Sequence, residues 1–304
     1  MKEHPIHVVD VFAERPLAGN QLAVVLNAED IAPSVMQSIA KEMNLSETTF
    51  VLPPVNPEHA ARVRIFTPAV EMPFAGHPTV GTAWVLHTLG LVPGGALEFT
   101  LEEVVGPVRV RGVKGASGTT FWLTNPALTF GETFAQRPQI ASAIGLTEAD
   151  LLAGVPIEEV STGNPFALVA LRDASAVDAA VPDEGRLAEI FRGRTPLPIY
   201  LFAALGGNRL YSRMFAGHVL GIREDPASGS GGGPLGAFAV KHGLLPRAPR
   251  VEAVSEQGTK MGRQSFLHIE LTYSGAGDVP DRIDVGGAVQ LVLSGHLDSQ
   301  AIRG

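Results

Sequence analysis

The chain has 304 residues, of which 45% are hydrophobic and 18% charged; its formal net charge is −8 and it holds no cysteine. This length and composition predict two globular domains, each with its own core. The acidic balance, with no cluster of Lys and Arg, argues against nucleic acid as a partner, and the lack of thiols excludes disulfides, thiolate catalysis, thiolate zinc sites and iron–sulfur clusters.

Residues 6–12 alternate and are rich in β-branched side chains, which predicts a strand. A turn at Arg15-Pro16-Leu17-Ala18-Gly19-Asn20 leads into a second strand over 21–26. Val35, Met36, Ile39, Ala40 and Met43 recur at helical spacing, so 33–43 is predicted as an amphipathic helix. Asn44-Leu45-Ser46-Glu47 then opens a strand over 48–52, and another over 61–66 delivers the chain to Glu71-Met72-Pro73-Phe74-Ala75-Gly76-His77-Pro78-Thr79-Val80-Gly81. That stretch reads as a glycine turn feeding a helix. Pro78 suits a first helical position, where a missing N–H costs nothing. Open backbone N–H groups and the positive end of the helix dipole suit a small carboxylate. The helix is apolar on more than one face (Val80, Ala83, Trp84, Val85, Leu86, Leu89) and so must be wrapped by other elements. Strands follow over 96–101, 106–113 and 119–124. Residues 125–154 form a polar, proline-containing connection with a short helix near 140–144, and the domain crossover is placed there.

The second half restarts the pattern. Gly163-Asn164-Pro165-Phe166-Ala167-Leu168-Val169 echoes Gly19-Asn20-Gln21-Leu22-Ala23-Val24-Val25 at an offset of 144. A helix is predicted over 184–191 and strands over 199–204 and 209–215. Glu224-Asp225-Pro226-Ala227-Ser228-Gly229-Ser230 then repeats the E-x-P-x-x-G pattern of the first turn at an offset of 153. An apolar helix over 235–240 and closing strands over 250–253, 265–272 and 289–293 complete the chain. This is a duplication of α+β halves, each a curved, mainly antiparallel sheet around one buried helix. A Rossmann fold is excluded, because strands come in runs instead of alternating with helices. The expected domains are 1–125, completed by about 286–304, and 126–285.

Glu47 lies between a helix end and a strand start among residues suited to burial. A carboxylate there suits a proton shuttle; a solvated edge-strand carboxylate or a local cap is the alternative. His77 at the helix start could exchange a hydrogen bond with a ligand oxygen or serve as a packed cap. Asp225 could accept from a ligand amine or hydroxyl, or hold its turn together. Gly231-x-Gly233-x-x-Gly236 formally fits a dinucleotide fingerprint, but no parallel βαβ pattern surrounds it. The histidines show no metal-ligand spacing, so no metal is expected. The absence of a G-x-S-x-G elbow and of a base for Ser230 argues against a hydrolase or lyase. No apolar run reaches the roughly 18 residues of a membrane span, and residues 1–10 lack an apolar signal core, so a cytoplasmic protein is expected.

Asp10-Val11-Phe12, Gly19-Asn20, Asn44-Leu45-Ser46-Glu47-Thr48-Thr49-Phe50, the first glycine turn, the second turn and Met261-Gly262-Arg263-Gln264-Ser265 together resemble the phenazine biosynthesis isomerase (PhzF-like) family. The resemblance implies a diaminopimelate-epimerase-like fold of two pseudo-symmetric barrel-like domains with the active site between them. It implies that Glu47 moves the proton and that Gly76, His77, Asp225, Gly229 and Ser230 hold the substrate. The implied reaction isomerises trans-2,3-dihydro-3-hydroxyanthranilate, a small anionic metabolite, in phenazine biosynthesis. No cofactor is implied, and a homodimer is. The two-cysteine chemistry of the epimerases is excluded, since this chain has no thiol. A catalytically silent metabolite-binding protein of the same fold is the alternative. Gln21 departs from the family's usual Pro and Ser228 from its usual Thr, and the Gly231–Gly233 run is expected to widen or loosen its side of the site.

Overall fold

The structure, a computed structural model, describes residues 3–115, 118–193, 197–217, 222–298 and 300. The chain divides into two compact units, Met1–Thr124 with Gly286–Gly304, and Asn125–Val285.

In the first unit β1 (Pro5–Val11) pairs antiparallel with β2 (Asn20–Val25). The strand stops at Val11 because Phe12 takes a left-handed conformation (φ 60°). Helix α1 (Pro33–Met43) carries the chain across to β3 (Glu47–Leu52), which runs parallel to β2 with Glu47 beside Leu22. A parallel pair needs such a crossover, since no hairpin can join it. Val35, Met36, Ile39 and Ala40 on α1 pack with Ala23, Val25, Phe50 and Phe66 in an apolar layer. Strand β4 (Ala61–Phe66) is antiparallel to β3 and meets the short β5 (Glu71–Met72). Helix α2 (Gly76–Thr88) follows, buried on all sides through its first two turns and packed against β1, β2 and β3. Strand β6 (Glu98–Glu103) returns parallel to β4, with Leu101 beside Ala61. Antiparallel β7 (Gly106–Gly115) and β8 (Gly118–Thr124) complete the wrap, and both pack on α2.

The second unit repeats this order. Strand β9 (Thr129–Phe134) pairs with β10 (Ile157–Ser161), and β10 pairs antiparallel with β11 (Pro165–Ala170). Between β9 and β10 lies α3 (Arg137–Ala143). Helices α4 (Ala174–Ala179) and α5 (Glu184–Ile190), each capped by an aspartate, lead across to β12 (Ile199–Gly206), parallel to β11. Strand β13 (Arg209–Ala216) pairs antiparallel with β12 and β14 (Ile222–Asp225). Helix α6 (Gly229–Lys241) is buried almost throughout, and β15 (Arg250–Gln257) then runs parallel to β13. Strand β16 (Ser265–Thr272) is antiparallel to β15 and packs on α6. Strand β17 (Arg282–Gly287) carries the chain onward to β18 (Val289–His296), which pairs antiparallel with β1. Of the stretch expected to close the first domain, 299 and 301–304 lie outside the described residues.

The fold is α+β, two like-built units with a mainly antiparallel sheet around a central helix. Strand β9 lies inside what reads in sequence as a connection. Only Phe134 of its six residues is buried, so it carries no alternating signal. The Gly231–Gly233 run does not loosen the start of α6. A Cβ on Gly231 would sit 2.8 Å from the Tyr200 ring, so glycine is what lets the helix approach β12 closely.

Candidate active site

In the first unit the site is built from three places in the chain. Asn44 closes α1 in a left-handed conformation (φ 49°), its N–H donating to Ala40 O at 3.1 Å. Asn tolerates that conformation. It turns the chain so that Glu47 opens β3, 8% exposed. His77, 4% exposed, lies in the first turn of α2. Its Nε2 is 3.1 Å from Glu47 Oε2. The third place is the turn before β2. Gly19 has φ +66°, and a Cβ there would lie 2.4 Å from Val11 O, so only glycine fits. It delivers Asn20, whose Nδ2 lies 3.2 Å from His77 Nδ1.

Asn20 Nδ2 and His77 Nδ1 lie at hydrogen-bond distance, while His77 Nε2 faces Glu47 Oε2 with no hydrogen bond between them. Burial holds the His77 imidazole down to about 3, against a backbone hydrogen bond at Gln21 that acts the other way. His77 is therefore a neutral imidazole packed beside Glu47. The strand carrying Glu47 is tied to α2 again by the Thr49 and Thr82 hydroxyls, 2.9 Å apart and buried.

The β6–β7 hairpin braces the turn that opens α2. Val105 N–H donates to Pro73 O at 3.0 Å. Thr79 Oγ1 lies 2.8 Å from Ala75 O and 2.5 Å from Glu103 Oε1. Glu103 is 7% exposed, and burial pushes its carboxyl up to about 8, opposed only by the Thr79 hydrogen bond. No side chain caps α2, so its first-turn amides point into the turn.

In the second unit Asp225 ends β14 opposite Met214 and is buried. Ser228 Oγ donates to Asp225 Oδ2 at 2.5 Å. Gln257, fully buried at the end of β15, organises the turn. Its Nε2 donates to Asp225 O at 2.7 Å and to Ser228 Oγ at 3.1 Å. Its Oε1 accepts from Tyr200 OH at 2.6 Å and from Ser228 N–H at 3.3 Å. Gly229 and Ser230 are the first residues of α6, again with no side-chain cap. Pro234 lacks the N–H that would reach back to Ser230 O, and the Thr162 hydroxyl donates to that carbonyl instead, at 3.3 Å.

The structure thus brings Glu47, Gly76 and His77 together in the first unit, and Asp225, Gly229 and Ser230 together in the second. Asn20, Thr79, Glu103, Tyr200 and Gln257 support these groups and were not singled out by sequence. Inward alternation along β6 (Leu101, Glu103) and β15 (Val251, Ala253, Ser255, Gln257) is the signal that marks two of them. Among the described residues no group of three or more His, Asp or Glu is arranged to hold a metal ion, and no helix is long and apolar enough to cross a membrane.

A buried carboxylate lies beside a neutral imidazole at the start of a wrapped helix, in one of two like-built α+β units. The chain belongs to the phenazine biosynthesis-like protein family, PhzC-PhzF, whose model matches residues 9–295. It is 36% identical over 304 residues to an uncharacterized isomerase of Mesorhizobium japonicum, covering 95% of this chain and 96% of the relative. It is 34% identical over 296 residues to trans-2,3-dihydro-3-hydroxyanthranilate isomerase of Pseudomonas aeruginosa, covering 93% and 95%. The crystal structure of a PhzF-family phenazine biosynthesis protein from Bacillus anthracis superposes with a TM-score of 0.88 at 26% identity, covering 98% of this chain and all of that one. The protein is an isomerase of the PhzF-like type.

Proposed function

We propose that this isomerase needs no cofactor and moves a proton within a small amino- or hydroxy-carboxylic acid, with Glu47 as the group that carries it. The observation behind this reading is the buried Glu47–His77 contact at the first turn of α2. The Glu47 carboxylate takes a proton from one substrate carbon and returns it to another, so the enzyme ends the cycle unchanged. His77 stays neutral throughout and packs beside the carboxylate. Gly76 and His77 at one turn, and Asp225, Gly229 and Ser230 at the other, bind the substrate. Helix-start amides suit its carboxylate and Asp225 its amine or hydroxyl. Trans-2,3-dihydro-3-hydroxyanthranilate has these groups, and the Pseudomonas aeruginosa relative is named for isomerising it. The protein is read as a cytoplasmic homodimer, the latter testable by light scattering.

The decisive experiment incubates the protein and Glu47→Gln with that substrate in deuterated water and follows the ring positions by NMR. Rearrangement with deuterium uptake in the wild type and none in the variant is the expected result. Rearrangement retained by Glu47→Gln would overturn the role of Glu47. Binding without exchange in either protein would instead favour a catalytically silent metabolite binder.

A further inference from the structure

Glu103 has no part in the proton transfer just described, yet it is buried against the turn that presents His77. Thr79 Oγ1 has two oxygen neighbours, Ala75 O at 2.8 Å and Glu103 Oε1 at 2.5 Å. A hydroxyl carries one proton, and a backbone carbonyl can only accept. If Thr79 donates to Ala75 O, the contact with Glu103 needs a proton from Glu103. If Thr79 donates to an ionised Glu103, two acceptor oxygens are left facing each other at the Ala75 contact. Ala75 O also accepts the Thr79 N–H at 3.3 Å, but the approach of the Thr79 hydroxyl at 2.8 Å is a hydrogen bond only if the hydroxyl proton goes there, and the Glu103 contact then takes its proton from the carboxyl.

The surroundings agree. Glu103 Oε2 is buried with no hydrogen-bond partner, where an ionised oxygen would be costly. Among the described residues no cation is paired with the group. On β4, Arg62 is exposed and Arg64 pairs with Glu71 at 2.7 Å. On β7, Arg109 is exposed and Arg111 stacks on Trp122. On β6, Glu102 bonds the amides of Val55 and Asn56 and the ring of His59. On α2, His77 is engaged with Glu47 and Asn20.

The second unit supplies an internal control. Ile65 pairs with Met72 as Met214 pairs with Asp225, and Ala61 sits beside Leu101 as Leu210 sits beside Ser255. Two residues further on, β6 ends in Glu103 and β15 ends in Gln257. The two side chains occupy equivalent places, and the second unit fills its place with a neutral amide that braces the helix start.

The geometry points to Glu103 as a positioning residue that works as a neutral acid, donating its proton to Thr79 and so fixing the first turn of α2 and His77. The consequence for turnover rests on the isomerase reading above; the protonation state does not.

Three measurements on the full chain test this. Infrared difference spectra between the wild type and Glu103→Gln at neutral pH are expected to show the carbonyl stretch of a protonated carboxylic acid, vanishing as pH rises through about 8. A carboxylate band there instead would overturn the proposal, whether or not any substrate is turned over. Second, the wild type binds a proton that the unfolded chain has released between its ordinary 4.5 and about 8, so stability falls with rising pH across that window. Glu103→Gln is expected to lose that slope, and an unchanged slope would overturn the proposal. Third, with a working substrate, Glu103→Gln is expected to keep kcat within about twofold and to extend activity on the alkaline side, while Glu103→Leu loses about tenfold. Identical alkaline limbs in the wild type and Glu103→Gln would refute a positioning role.

Discussion

At the first glycine turn three of the buried polar groups are titratable: Glu47, His77 and Glu103 all lie at or against the start of α2. At the second, one amide, Gln257, ties Asp225, Ser228 and Tyr200 together, and Asp225 is the one acidic side chain in that network. The two units share strand order and pairing, so this difference is one of chemistry placed on a common frame. A duplicated fold can keep its geometry in both copies while the chemistry placed on it diverges.

The largest effect expected from this contrast is the loss of turnover in Glu47→Gln, about a thousandfold or more, read as deuterium incorporation into product. Asp225→Asn should act differently, raising KM by about tenfold and changing kcat less, because it alters binding in the unit without the shuttle. Equal losses of kcat in the two variants would erase the division of labour between the turns.

For stability the order reverses. Gln257→Leu removes the buried hydrogen bonds to the Ser228 N–H, the Asp225 carbonyl and the Tyr200 hydroxyl, and should cost about 3 kcal/mol or more in denaturant unfolding. Thr49→Val removes the buried Thr49–Thr82 hydroxyl pair and the longer contact with Ala23 O, and should cost about 1 kcal/mol.

Acid offers a finer test. His77 is neutral down to about 3, whereas in the unfolded chain it takes up a proton below its ordinary 6.5. The unfolded state thus binds the extra proton, and stability should fall as pH drops from 6.5 towards 3, by at most about 1.4 kcal/mol per pH unit. The His77→Gln variant should lack that slope. The Glu103 slope runs the other way over 4.5 to about 8, so the two offset each other where they overlap, between 4.5 and 6.5, and the first unit is most stable there.

Much of this was legible in the sequence. The two turns, the wrapped helices and the place of Glu47 between a helix end and a strand are carried by local patterns of glycine and apolar spacing. The braces were not, for one shared reason. The strand reading stops at 101 in the first half and at 253 in the second, and Glu103 and Gln257 lie just beyond. A polar residue at a strand end looks solvated until its partner, far away in sequence, is in place. Asn20 was legible as part of a turn, but its contact with His77 spans 57 positions and no periodicity reports it.

Strand β18 pairs with β1 along its length, His296 opposite Pro5 and Val289 opposite Val11. The second unit is one continuous stretch of chain, whereas the first needs both of its ends. On the ribosome, which adds residues from the N-terminus onward at about 5–20 per second, the second unit has its whole sequence while β1 still waits for its neighbour. Strand β1 then presents an unpaired side for the entire time the second unit is being made, an edge open to other chains. The half that carries Glu47 is thus the last to close.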